Sequence, residues 1–265
     1  MMPMLVLALA AVQPGAVFPA QPKAGTRHYL YQATETVGDH QSGGYRTEFD
    51  LETSGGATYA IIRNSSVYDG AWKPVEPDAK CRAAMHGDST SLARVKLSPL
   101  DPESAKTLGE AFLPMCAPPG VFFPLTDILN VAIIPSSDRF RASELRTVGQ
   151  SLTYPGFEAA FDRSGIGFKE TSPGGAIKLS MLDKHSAVLD WQPATADLEL
   201  LEQAHQPPVH LKGTESFAFR VDVDRKSGFI NRAAAMFDNL DMKVIGAPDT
   251  FPHLHISRTV TIDPL

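Results

Sequence analysis

Residues 215–237 read "ESFAFRVDVDRKSGFINRAAAMF". Phe217, Phe219, Val221 and Val223 fall on one side of an extended chain, and Arg220, Asp222 and Asp224 on the other. That segregation at period two predicts a half-buried strand. Gly228 then supplies the positive φ of a tight turn, and the chain returns as a second strand. A long hairpin is therefore expected here. A hairpin commits the sheet to antiparallel pairing, because parallel neighbours need a long crossover between them.

The same pattern spreads outward in both directions. In "YRTEFDLET", Tyr45, Thr47, Phe49 and Leu51 alternate with Arg46, Glu48, Asp50 and Glu52. "RHYLYQATETV" is its expected partner through the turn-rich "GDHQSGG". "ATYAIIRNSSVY" and "TSLARVKL" continue as strands. From Gly156 onward, "GFEAAFD", "IGFKET", "AIKLSML" and "SAVLDW" are separated by "RSG", "SPGG" and "DKH", which read as turns at short spacing. "LDMKVIG" and "HLHISRTVTI" close the sheet. Helices are expected in the middle of the chain. Asp101 caps one that Pro114 ends, and "PLTDILNVAII" forms another with Leu125, Ile128, Leu129, Ala132 and Ile133 as its stripe. "ATADLELLEQA" fits a short helix or a strand, with helix preferred. The fold class expected is α+β and β-rich: one large curved antiparallel sheet of consecutive hairpins, as a half-barrel or two stacked sheets, with a few short helices.

At 265 residues, with 43% hydrophobic and 20% charged residues, the chain has the composition of a folded domain rather than a disordered one. A single domain over 23–265 is expected, with a linker-like stretch near 135–150 as the place where two halves would separate. A net charge of −6 without a basic patch leaves no electrostatic footprint for nucleic acid. The most apolar later stretch is broken by Pro118, Pro119, Gly120, Pro124 and Asp127, so no transmembrane span is expected.

Residues 1–22 combine a short apolar run, Met4 to Val12, with small residues after it, and the first positive residue is Lys23. They read as a signal peptide or as an apolar N-terminal arm. An exported protein, periplasmic or secreted, accommodates a disulfide between its two cysteines, Cys81 and Cys116.

Two groups of residues stand out as candidate sites. Phe122, Phe123, Leu125, Ile128, Leu129, Ile133 and Ile134 are more apolar than one helix stripe requires. Either they are core, or Phe122, Phe123, Ile128 and Leu129 line a pocket for an apolar or lipid-like ligand. His253 and His255 share one face of the last strand with Ser257, Thr259 and Thr261, a polar face that Leu254, Ile256, Val260 and Ile262 oppose, with Arg258 interrupting the apolar side. Paired histidines can bind zinc, but a zinc site needs a third ligand, and no acidic residue stands at matching local spacing. A wet strand face explains them without a metal, and no cofactor is expected. "DVDRKSG" lacks the closing acidic residue of a calcium loop and reads as a turn, and no nucleophile motif is present. The expected function is an extracytoplasmic binding or carrier protein for an apolar or amphipathic ligand. The alternatives are an exported hydrolase with a metal on the His253/His255 pair and an envelope structural or assembly protein.

Overall fold

The computed structural model of the chain describes Val17 and residues 23–55, 57–75, 93–96, 119–133, 144–163, 166–203, 206–248, 251 and 253–265. The strands are β1 (Gly25–Val37), β2 (His40–Ser54), β3 (Ala57–Tyr68), β4 (Trp72–Pro74), β5 (Ala93–Lys96), β6 (Ser151–Arg163), β7 (Ile166–Leu182), β8 (Ser186–Pro193), β9 (Ala196–Glu202), β10 (Val209–Asp224), β11 (Ile230–Val244) and β12 (Leu254–Pro264), and α1 is Pro119–Ile133. All strands join one antiparallel sheet in the order β4-β3-β2-β1-β12-β11-β10-β8-β7-β6. β5 adds to β3, and β9 lies between β10 and β7. An N-terminal meander and a C-terminal one are thus stitched together by the β1–β12 pair, with Glu35 opposite Arg258.

The expected hairpin is β10–β11, and Gly228 turns it at φ 78°. Asp224 Oδ1 accepts hydrogen bonds from the Ser227 amide and hydroxyl, both at 2.6 Å, so the carboxylate that suggested a calcium loop is spent closing the turn. One buried cluster joins the inward faces of both meanders. Tyr29 stacks on Phe49 at 5.2 Å, and Trp191 meets Phe217 edge-on at 5.1 Å while donating to the Tyr154 hydroxyl at 2.8 Å. Val17 is buried in this core, and its carbonyl accepts from Arg225 Nε at 2.8 Å.

Three expectations need correction. Among the described residues there is a single α-helix, not a few; the helix placed over 101–113 lies outside them. "ATADLELLEQA" holds strand β9, not a helix: β10 and β7 clamp it on both sides, and backbone pairing on two edges outweighs the modest helix propensity of Ala, Leu and Glu. "SPGG" is not a turn but the middle of the continuous strand β7. It lies in a row of proline and glycine across three strands, with Pro155 opposite Gly174 and Gly175 opposite Pro193. A Cβ on Gly174 would stand 2.4 Å from the Tyr154 carbonyl oxygen, and Gly174 has φ 104°, so a glycine lets the strands meet closely there. Pro155 is tolerated because β6 ends the sheet order and has one partner.

α1 packs against β3, β2 and β1. Pro124 lies inside it and lacks the amide that would bond to the Gly120 carbonyl. Ser65 Oγ of β3 supplies the missing donor at 2.8 Å and in turn lies 2.9 Å from Thr47 Oγ1 of β2. Gly120 faces Val67 at a distance that leaves no room for a Cβ. Helix and sheet are thereby pinned together about two turns before Asp127.

Candidate functional site: a charged cluster between the helix and the sheet

Four strands and the helix each send a charged side chain to one place. On β1, Tyr29, Tyr31 and Ala33 point into the core, and Glu35 continues the same phase. On β12, Arg258 continues the phase of Val260 and Ile262. On β10, Glu215 continues that of Phe217 and Phe219. α1 brings Asp127.

Asp238 of β11 arrives by a different route. Across β10–β11, Ala218 pairs with Phe237 and Phe219 with Ala235, so Met236 is an extra, unpaired residue. This bulge inverts the alternation: Ala233 points in before it, Asp238 and Met242 point in after it. Without it Phe237 would take the inward phase and Asp238 the outward one. Instead Phe237 is 41% exposed and the Asp238 side chain 1%. Burying a carboxylate and exposing a phenyl ring at neighbouring positions runs against the hydrophobic drive, and bulges that re-aim side chains are concentrated next to functional sites.

Arg258 is the hub. Its Nη2 donates to Asp127 Oδ2 at 2.6 Å and to the Tyr31 hydroxyl at 3.3 Å, and the Tyr31 hydroxyl donates to the same Asp127 oxygen at 2.6 Å. Nη1 lies 2.9 Å from Asp238 Oδ2 and 3.6 Å from Glu215 Oε1, and Nε lies 3.7 Å from Glu35 Oε1. The Asp238 contact is close but lacks hydrogen-bond alignment. Both Asp238 oxygens and Arg258 Nε are buried without a hydrogen-bond partner. The Arg258 side chain is 8% exposed, Glu215 16% and Glu35 22%, so solvent reaches the cluster past the two glutamates.

Four carboxyl groups thus surround one guanidinium, and burial raises the proton affinity of three of them, Asp238, Glu215 and Glu35. Burial pushes Asp238 up to about 7; Arg258 opposes this, and the charges of Asp127 and Glu35 add to it. Burial and then the Asp238 charge hold Glu215 well above the ordinary carboxyl range. Glu35 is raised by burial, with Arg258 opposing. Burial alone would lower Arg258, but Asp127, Asp238, Tyr31 and Glu215 outweigh it and hold the guanidinium firmly protonated. Tyr31 is raised by burial and by Asp127, which keeps it a hydroxyl donor. The arrangement offers one carboxyl group, Asp238, that donates or accepts near neutral pH beside a fixed cation.

Comparison with known protein families, curated proteins and solved structures finds no match to this chain.

The residues singled out from sequence fall in three places. Ile128 and Leu129 are buried in the core under α1, Phe122 lies in α1, and the half-buried Phe123 ring sits 5.9 Å from the Tyr45 ring. His253 and His255 lie on the exposed face of the sheet and share Asp241, with Nδ1 at 2.9 Å and 3.5 Å from its oxygens. Among the described residues, no three His, Cys, Asp or Glu side chains are placed to hold a metal ion. The disulfide expected between Cys81 and Cys116 lies outside the described residues. The structure does not bring the apolar four and the histidine pair together; it builds the charged cluster instead, directly beside Ile128 in the chain. The signal for it lay in phase: Glu35, Glu215 and Arg258 each occupy an apolar position of an alternating strand, and Asp127 interrupts an apolar helix.

Proposed function

We propose that the protein is an extracytoplasmic binding or carrier protein for an amphipathic ligand, whose polar end meets the Arg258 cluster and whose apolar part lies toward Phe123 and Tyr45. The observation that carries this reading is the Met236 bulge, which buries Asp238 and exposes Phe237. A fold that needed only stability would keep the regular alternation and bury the phenyl ring. An inward carboxylate without hydrogen bonds is tolerated where it serves recognition.

A curled sheet, a half-barrel around α1, agrees with the electrostatics. β2 and β9 are five positions apart in the strand order, about 24 Å in a flat sheet at roughly 4.8 Å per strand. Yet the Tyr45 hydroxyl on β2 is raised by burial, by Glu35 and also by the charge of Glu202 on β9. That influence supports a sheet whose two arms bend toward each other. Export is supported by the apolar run at residues 4–12.

The test is native mass spectrometry of the protein taken from its own extracytoplasmic compartment, followed by denaturation of the same sample. A mass increment of lipid-like size that disappears on denaturation is the expected result. Identical native and denatured masses, together with no thermal shift on adding amphiphiles, would remove the proposal.

A further inference from the structure

We infer that the polar end of the ligand is a primary ammonium group, seated among Asp238, Glu215 and Glu35 beside Arg258. This rests on the binding reading above and names the chemistry of its head group. The first ground is charge balance: four carboxyl groups converge on one guanidinium, all within 3.7 Å of one of its nitrogens. The second is independent of that count. Asp238 is 1% exposed and points into the cluster, and although Arg258 Nη1 lies 2.9 Å from its Oδ2, that contact is misaligned and neither oxygen accepts a hydrogen bond. Buried acceptors without donors are costly, and a charged N–H donor is the partner that satisfies them best.

The choice of head group follows from what is already occupied. An anionic head, such as a sulfate or carboxylate, would need Arg258. Nη2 is committed to Asp127 and Tyr31, Nη1 faces Asp238 and Glu215, and Nε, which lacks a hydrogen-bond partner, lies 3.7 Å from Glu35 Oε1, so an anion would meet carboxyl groups beside every guanidinium nitrogen. A metal ion lacks a suitable ligand set among the described residues. A primary ammonium carries three donors and no acceptor, which matches a site rich in acceptors. Glu35 and Glu215, the more exposed members, flank its way in.

Calorimetric titration of the full chain with n-octylammonium, octyl sulfate, 1-octanol and n-butylammonium tests this. Octylammonium is expected to bind about tenfold or more tightly than octanol, with octyl sulfate weaker than both. Octyl sulfate equal to or better than octylammonium would overturn the head-group inference while leaving the amphiphile reading intact. Butylammonium equal to octylammonium would support the head group and sink the amphipathic reading. Silence from all four would end both. Asp238→Asn should lose the preference for octylammonium over octanol by about tenfold. Glu215→Gln provides the same comparison should the Asp238 variant fold poorly, and a preference unaffected by the variant that folds would overturn the assignment.

Discussion

Replacing Asp238 by Asn is expected to stabilise the protein at pH 8 and to leave it nearly unchanged at about pH 3. The Asp238 carboxyl is raised from 3.8 to about 7 by burial and by Asp127 and Glu35, despite the nearby Arg258. A group with its folded pKa above its unfolded pKa holds its proton better in the fold. Below about pH 3 both states are protonated, and the group has no effect on stability. From there to about pH 7 the unfolded chain ionises while the folded one does not, so stability falls as pH rises, and above 7 the loss is complete. At about 1.4 kcal/mol for each tenfold change in proton affinity, the loss is about 4 kcal/mol. Asn mimics the protonated acid and escapes it. Glu215, held up partly by the Asp238 charge, relaxes in the same direction in the variant. Urea unfolding followed by tryptophan fluorescence reports the core, since Trp191 is buried there. With an m-value of about 3 kcal/mol/M, the variant's midpoint should exceed that of the parent by about 1.3 M at pH 8. The opposite expectation treats Asp238 and Arg258 as a simple buried ion pair, whose disruption costs about 3–5 kcal/mol. A variant less stable than the parent at pH 8, or midpoints that run parallel across pH, would refute the reasoning.

Three further outcomes follow from the packing. Ser65→Ala removes the donor that serves the Gly120 carbonyl, so it should cost about 1–3 kcal/mol in urea unfolding. Gly213→Ala places a Cβ 1.8 Å from the Asp241 carbonyl oxygen, backbone against backbone. It should destabilise by about 4 kcal/mol or more, read as a lost unfolding transition or failure to recover soluble protein. Deleting Met236 removes the bulge and returns Phe237 to the inward phase. That chain should fold without the steep fall in stability toward pH 8; an unchanged pH profile would show that the bulge does not place Asp238.

Much of the sheet was legible because its signals are local. The alternation in 217–224 and the glycine at 228 fix a hairpin without reference to the rest of the chain. "ATYAIIRNSSVY" coincides with β3 for the same reason. The errors arose where a local signal was overruled by neighbours. Proline and glycine at 173–175 ordinarily mark a turn, but with Pro155 and Pro193 alongside they let a long strand bend and continue. Leu198, Leu200 and Leu201 suit a helix stripe as well as a strand, and only pairing with β7 and β10 decides between them.

The cluster was half-written in the same alternation. Arg258 breaks the apolar face of the last strand, three residues after the histidine pair. Glu35 and Glu215 break their strands in the same way. Each alone resembles a strand end, where the apolar pattern simply stops. They become a site only because β1, β12 and β10 stand close in the sheet order and α1 adds Asp127. Asp238 could not be found by phase, because the bulge at Met236 changes the phase, and "AAAMFDNLDM" read without it hides the acid on the wet face. The residue that most sharply marks the site is therefore the one that regular alternation assigns to solvent. Its position depends on a single unpaired residue two places earlier, and a bulge costs the ladder hydrogen bonds that a regular strand would keep. The bulge costs this chain both those bonds and the burial of Phe237, a cost in stability that the proposed binding role would account for.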